Sequence, residues 1–189
     1  MKTHVATAIV LVSLFAAPYS HAQNKLELFA NVERTECEVS DNSGPAVVAV
    51  HAWVTGPIQG NVARFKAPKP ACWQGATWVG DTLPVTSVAI GNSQIDWTVA
   101  FFTGTGHCVP EHIPPIYVGA INFFVTGEAL PCCEMVAMPF SPGFVDCSFN
   151  ELPLTAGQKV VINPDDTCRC QSPLAIEATT WGRVKSFYR

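Results

Sequence analysis

The stretch IDWTVAFF, residues 95–102, decides the fold. Ile95, Trp97, Val99 and Phe101 recur every second residue, opposite Asp96 and Thr98. Successive side chains of an extended strand leave opposite faces, so this period gives one apolar face. NVARFKA, residues 61–67, repeats the pattern, with Ala63, Phe65 and Ala67 set against Arg64 and Lys66. A strand with one apolar face needs a second layer to cover it. Similar β-rich runs are KLELFANV (25–32), AVVAVHAWV (46–54), PVTSVAIG (84–91), PIYVGAINFFVTG (115–127), EMVAMPF (134–140) and QKVVINP (158–164). Turn-forming stretches separate them: SDNSGP, TGPIQG, IGNSQ, FTGTG, SPGF and TAGQ. Many short strands between Gly and Pro turns give an all-β chain. The expected fold is an antiparallel two-sheet β-sandwich of eight or nine strands, Ig-like or jelly-roll-like.

The first residues read as a targeting segment. Lys2 supplies a positive start, VATAIVLVSLFAA (5–17) is too short to span a bilayer comfortably, and Ser20 and Ala22 place small residues before a cleavage point. Residues 1–22 are expected to be a cleaved signal peptide, leaving one domain over 23–177 and a tail over 178–189. No later apolar run is long enough for a membrane helix. The whole chain has 11 basic and 15 acidic residues, a formal net charge of −4. Nucleic acid is excluded as a partner, because phosphate binding needs clustered Lys and Arg. The expected location is secreted, periplasmic or cell-surface.

All eight cysteines follow the leader: Cys37, Cys72, Cys108, Cys132, Cys133, Cys147, Cys168 and Cys170. An even count in an exported chain reads as a disulfide framework that staples loops. Cys72 and Cys108 flank the central strand pair and form the first bridge expected. Cys132 and Cys133 are adjacent, so they are expected to reach different partners among Cys37, Cys147, Cys168 and Cys170. GHCVPEH offers His107, Cys108, Glu111 and His112 to a metal, but the paired-ligand spacing of a zinc site is missing and oxidation consumes thiols. No metal and no cofactor are expected.

The order VVAVHAWVTGPIQGNVARFKAP, IGNSQIDWTVAFF, PIYVGAINFFVTGEA resembles cohesin-like sandwiches and the related carbohydrate-binding modules over roughly residues 26–140. The resemblance implies a binding module. The ending W-G-x-V-K-x-F-Y is similar to that of a set of uncharacterised exported bacterial proteins.

Chemistry is sparse. His51 shares a face with Trp53, but no G-x-S-x-G elbow supplies a nucleophile. Asp81, Asp96, Glu128 and Glu134 read as solvated acids near strand ends, and SDNSG and NPDD as turns before calcium loops. The expected protein is not an enzyme but a structural or binding module of the surface, contacting another surface protein. The alternative is sugar binding by Trp73 and Trp78, taken as residues of an exposed loop, with Trp53 on its strand. In the tail, Trp181, Val184 and Tyr188 make an apolar stripe on a short C-terminal helix beside Arg183 and Lys185. So short a helix needs a surface to lie on. These four contact residues, Trp181, Val184, Lys185 and Tyr188, are expected to dock on the domain itself or on a partner.

Overall fold

The structure is a computed structural model that describes residues 23–41, 44–101 and 113–170. The leader, the tail with Trp181, Val184, Lys185 and Tyr188, and the segment holding His107, Cys108, Glu111 and His112 lie outside the described residues. Among the described residues no helix is long and apolar enough to cross a membrane.

Every regular element described is a strand. β1 is Asn24–Phe29, β2 Glu38–Val39, β3 Ala46–Thr55, β4 Gly60–Lys66, β5 Ala76–Thr82, β6 Ser87–Asn92 and β7 Asp96–Phe101. β8 is Ile116–Val125, β9 Cys133–Met135, β10 Met138–Asp146, β11 Glu151–Leu152, β12 Leu154–Ala156 and β13 Val160–Ile162. One sheet runs β12-β1-β3-β8-β5, a second β11-β10-β4-β7-β6, and a small third one β2-β13-β9. The sandwich is therefore as expected, with ten strands in its two large sheets where eight or nine were expected. It is not wholly antiparallel, since β1 pairs β12 and β2 pairs β13 in parallel.

The two large sheets share one core. Leu26, Leu28, Val50, Ala52 and Val54 from the first meet Ala63, Phe65, Trp97 and Val99 from the second. Burying each large apolar side chain contributes roughly 1.5–3 kcal/mol. Trp97 lies 5.3 Å from Phe65, ring centre to ring centre. Across the sandwich its ring packs on Gly119, whose φ of 153° and lack of a side chain make room for it. Ile95 departs from the expected face: it sits in the turn before β7, hydrogen-bonded through its N–H to Asn92 O, and is exposed.

The disulfides correct the expected pairing. Cys72 is joined to Cys133 and not to Cys108, while Cys37 joins Cys170 and Cys132 joins Cys168. Cys72 precedes β5, next to the chain entering β9: Leu130 N–H donates to Cys72 O, and Trp73 bridges to Ala129. Cys132 has a φ of 60°, and the two adjacent cysteines reach different partners, as expected, but the Cys72 partner of Cys133 lies outside the set expected for it.

A buried carboxylate organises the same region. Asp41 is fully buried and accepts from Trp73 Nε1 at 2.8 Å, Ala129 N–H at 3.2 Å and Asn163 Nδ2 at 2.5 Å. Its own N–H donates to Asn163 Oδ1. One side chain thus ties the ends of β2 and β13 to the turns before β5 and β9. Asp41→Asn keeps the shape but sets an amide donor against these donors. It is expected to lower unfolding free energy by about 2–3 kcal/mol, read from urea denaturation; an unchanged midpoint would contradict this role.

Candidate binding surface

The three tryptophans proposed for sugar binding occupy three different settings. Trp73 is fully buried, its indole N–H taken by Asp41 and its ring 4.8 Å from Phe123. It cannot stack on an external sugar, which corrects the expectation for this residue. Trp78 lies on β5 and not in a loop, half-buried, with Nε1 donating to Asp81 Oδ1 at 3.0 Å. Asp81 also accepts from Ser93 N–H at 2.8 Å and Ser93 Oγ at 2.6 Å, tying β5 to the β6–β7 turn of the other sheet. Both side chains of the Trp78–Asp81 pair thus serve the closure of the sandwich.

Only Trp53 sits on an outer face, alternating with the buried Ala52 and Val54. A register shift in the β3–β8 ladder brings Trp53 opposite Tyr117, their rings 4.9 Å apart. Bulges re-aim side chains in this way. His51 Nδ1 and Tyr117 OH are 3.0 Å apart, and the Arg34 guanidinium lies over the Trp53 ring at 4.9 Å. Arg34 takes a φ of 61° to do so. Trp53 Nε1 is buried and has no hydrogen-bond partner among the described residues. Burial lowers the His51 pKa against a smaller opposing effect of Glu33, and burial raises that of Tyr117.

Two further acids of the sequence reading, Asp96 and Glu134, are held in ion pairs. Asp96 pairs with Arg64, which holds its carboxyl below the usual range, and Glu134 pairs with Lys159. The SDNSG and NPDD stretches meet, but as the Asp41–Asn163 pair, with both Asp41 oxygens facing donors. Cys132, Cys168 and Asp165 gather their ligand atoms within 4.8 Å, yet the two sulfurs are bridged and Asp165 accepts from Thr167. A bridged sulfur lacks the thiolate that holds a metal.

What the sequence reading missed is an apolar surface along β6. Val88 and Ile90 point outward, 56% and 79% exposed, while Ala89 between them faces inward across from Val99. Val85 before the strand is fully exposed, and Ile95 after it is 72% exposed. No charged residue occurs from Leu83 through Ile95. The nearest ion pair, Arg64–Asp96, lies on β4 and β7 and is internally neutralised. Exposed apolar side chains gathered along and beside one strand mark a candidate contact site. The signal was present in PVTSVAIG, whose Val88 and Ile90 alternate with smaller residues, but periodicity does not say which face is covered.

No family model and no curated protein matches the chain. Among solved structures, a type III cohesin module from the cell-surface anchoring scaffoldin ScaE of Ruminococcus flavefaciens aligns at a TM-score of 0.49 and 10% identity. That alignment covers 78% of this chain and 90% of the module. The sixth cohesin of Acetivibrio cellulolyticus scaffoldin B, solved with a Cel5 dockerin, aligns at a TM-score of 0.48 and 13% identity, covering 76% and 99%. A cohesin–dockerin complex from Clostridium thermocellum, Coh-OlpA-Doc918, gives 0.46 and 11%, covering 74% and 99%. These TM-scores all lie below 0.5, and no partner specificity passes from those proteins to this chain.

The lowered His51 pKa has a measurable consequence. As pH falls, the unfolded chain takes up this proton first, near 6.5, so stability declines from there until the folded His51 also protonates. Urea midpoints between pH 7 and 5 are expected to fall in the wild type and to fall less in His51→Gln. Parallel curves for the two proteins would contradict the assignment.

Proposed function

We propose that the protein is an exported, non-catalytic module that binds another protein through the outer surface of β6. The exposed, charge-free row Val85, Val88, Ile90 and Ile95 carries this reading. The disulfides suit an oxidising compartment, as does the signal-peptide character of residues 1–22, and both favour a secreted, periplasmic or cell-surface location. In this reading the tail, residues 178–189, is an amphipathic clasp that engages a surface through Trp181, Val184, Lys185 and Tyr188.

A second reading keeps the glycan ligand but moves it. Trp53, Tyr117 and His51 share one outer face, with Arg34 and Glu33 beside them, which combines aromatic surface with hydrogen-bonding groups. Stacking a sugar there requires Arg34 to leave the Trp53 ring.

A photo-crosslinking residue placed at position 90, with position 47 of the opposite sheet as control, separates these readings in exporting cells. The protein-binding reading expects a protein adduct from position 90 and none from 47. No adduct from position 90, together with glycan-array retention lost in Trp53→Ala, would replace it with the glycan reading.

A further inference from the structure

Six strands end the three sheets, and they differ in how they are protected. An edge strand presents unpaired N–H and C=O groups to any strand that can approach, and proteins guard such edges with charge, bulges or short length. Among the described residues, β2 carries Glu38, β9 carries Glu134 and β11 carries Glu151. β12 is three residues long and also contacts β10. β5 carries Asp81 and a register shift between Trp78 and Gly80. Among the described residues β6 has no charge and no register shift, and its one backbone irregularity is the positive φ of Gly91 near its end. It pairs β7 residue for residue from Ser87 to Asn92 without a register shift, and its sequence SVAIGN is uncharged.

We infer that two copies of this chain pair edge to edge through β6, antiparallel, about a two-fold axis at Ala89. The inference rests on the reading of β6 as the contact surface and names the partner as a second copy. The strand is self-complementary in that arrangement. With Ala89 opposite Ala89 of the other copy, Val88 of each copy faces Ile90 of the other. Four β-branched side chains then line up on the outer face, where such cross-strand pairs stabilise a sheet. Val88 and Ile90 of both copies lose water in this arrangement, and the end carrying Val85 of one copy lies beside the end carrying Ile95 of the other. A two-fold interface places the same patch on both sides. Two net-acidic chains repel elsewhere, and along the uncharged 83–95 stretch no charge meets its own copy.

The size of the contact sets its strength. One short strand with four side chains covers less than the roughly 800 Å² per partner of a standard stable interface. Association is therefore reversible and depends on concentration.

Sedimentation velocity on the purified mature chain, from about 1 µM to about 1 mM, tests the pairing. The wild type is expected to shift from monomer to dimer across this range. Ile90→Lys, which brings an ammonium from each copy beside the axis, is expected to weaken association at least about tenfold. Val47→Lys, on the outer face of the other sheet, is expected to dimerise like the wild type. Amide exchange of residues 87–91 in the wild type supplies a readout independent of any variant, and it is expected to slow as concentration rises. A wild type that stays monomeric with unchanged exchange, or an Ile90→Lys protein with native near-UV circular dichroism that dimerises normally, would overturn the inference. If the chain is monomeric but position 90 captures a different protein, the pairing fails while the binding-module reading stands.

Discussion

A carboxylate with no exposed surface, that of Asp41, whose described partners are all neutral donors, is the constraint on which much of this structure depends. An isolated buried charge is costly unless donors replace its lost water. Here an indole, an amide side chain and a backbone N–H converge on it from three separated parts of the chain. Satisfying that carboxylate fixes Trp73 inside, brings the chain entering β9 beside the turn before β5, and holds the end of β13 against the end of β2. The Cys72–Cys133 bridge joins the same two approaches covalently.

The three described bridges and the Asp41 cluster thus gather around the small third sheet. The three described bridges involve no residue of the β11-β10-β4-β7-β6 sheet. The described contacts of that sheet include core packing through Phe65, Trp97 and Val99, and the Asp81 contacts to Ser93. Its outer surface carries the exposed valines and isoleucines that neither the core nor the bridges require. Residues that serve no internal contact and remain apolar in water are where an external function is best sought.

Much of this was legible in the residues. Two-residue alternation in NVARFKA and in Trp97, Val99 and Phe101 matches the buried face, and the sandwich follows from it. Other elements were hidden for physical reasons. β5 looks like a loop because Gly75 and Gly80 flank Trp78 and a register shift interrupts its ladder. SPGF reads as a turn, yet it lies within β10, where Pro142 falls in a register shift and leaves the ladder to β4 interrupted. Asp41 and Asn163 read as turn formers because their partners are more than thirty residues away, a pairing that only the fold creates. The expected exposure of Trp73 failed for the same reason: its acceptor could not be seen. The neighbours of Trp53 were hidden too, since Tyr117 and Arg34, which complete its cluster, come from β8 and from the loop after β1.

The claim that an uncharged apolar edge carries the contacts of this protein differs in one respect from any reading built on the basic tail and the acidic body. Electrostatic contacts between exposed groups weaken as salt screens them, whereas burial of apolar surface does not. The association constant of residues 23–189, measured at low salt and near 1 M sodium chloride, decides between them. The β6 account predicts association that is unchanged or stronger at high salt, since screening also relieves the mutual repulsion of two acidic chains. Association that disappears at high salt would contradict it.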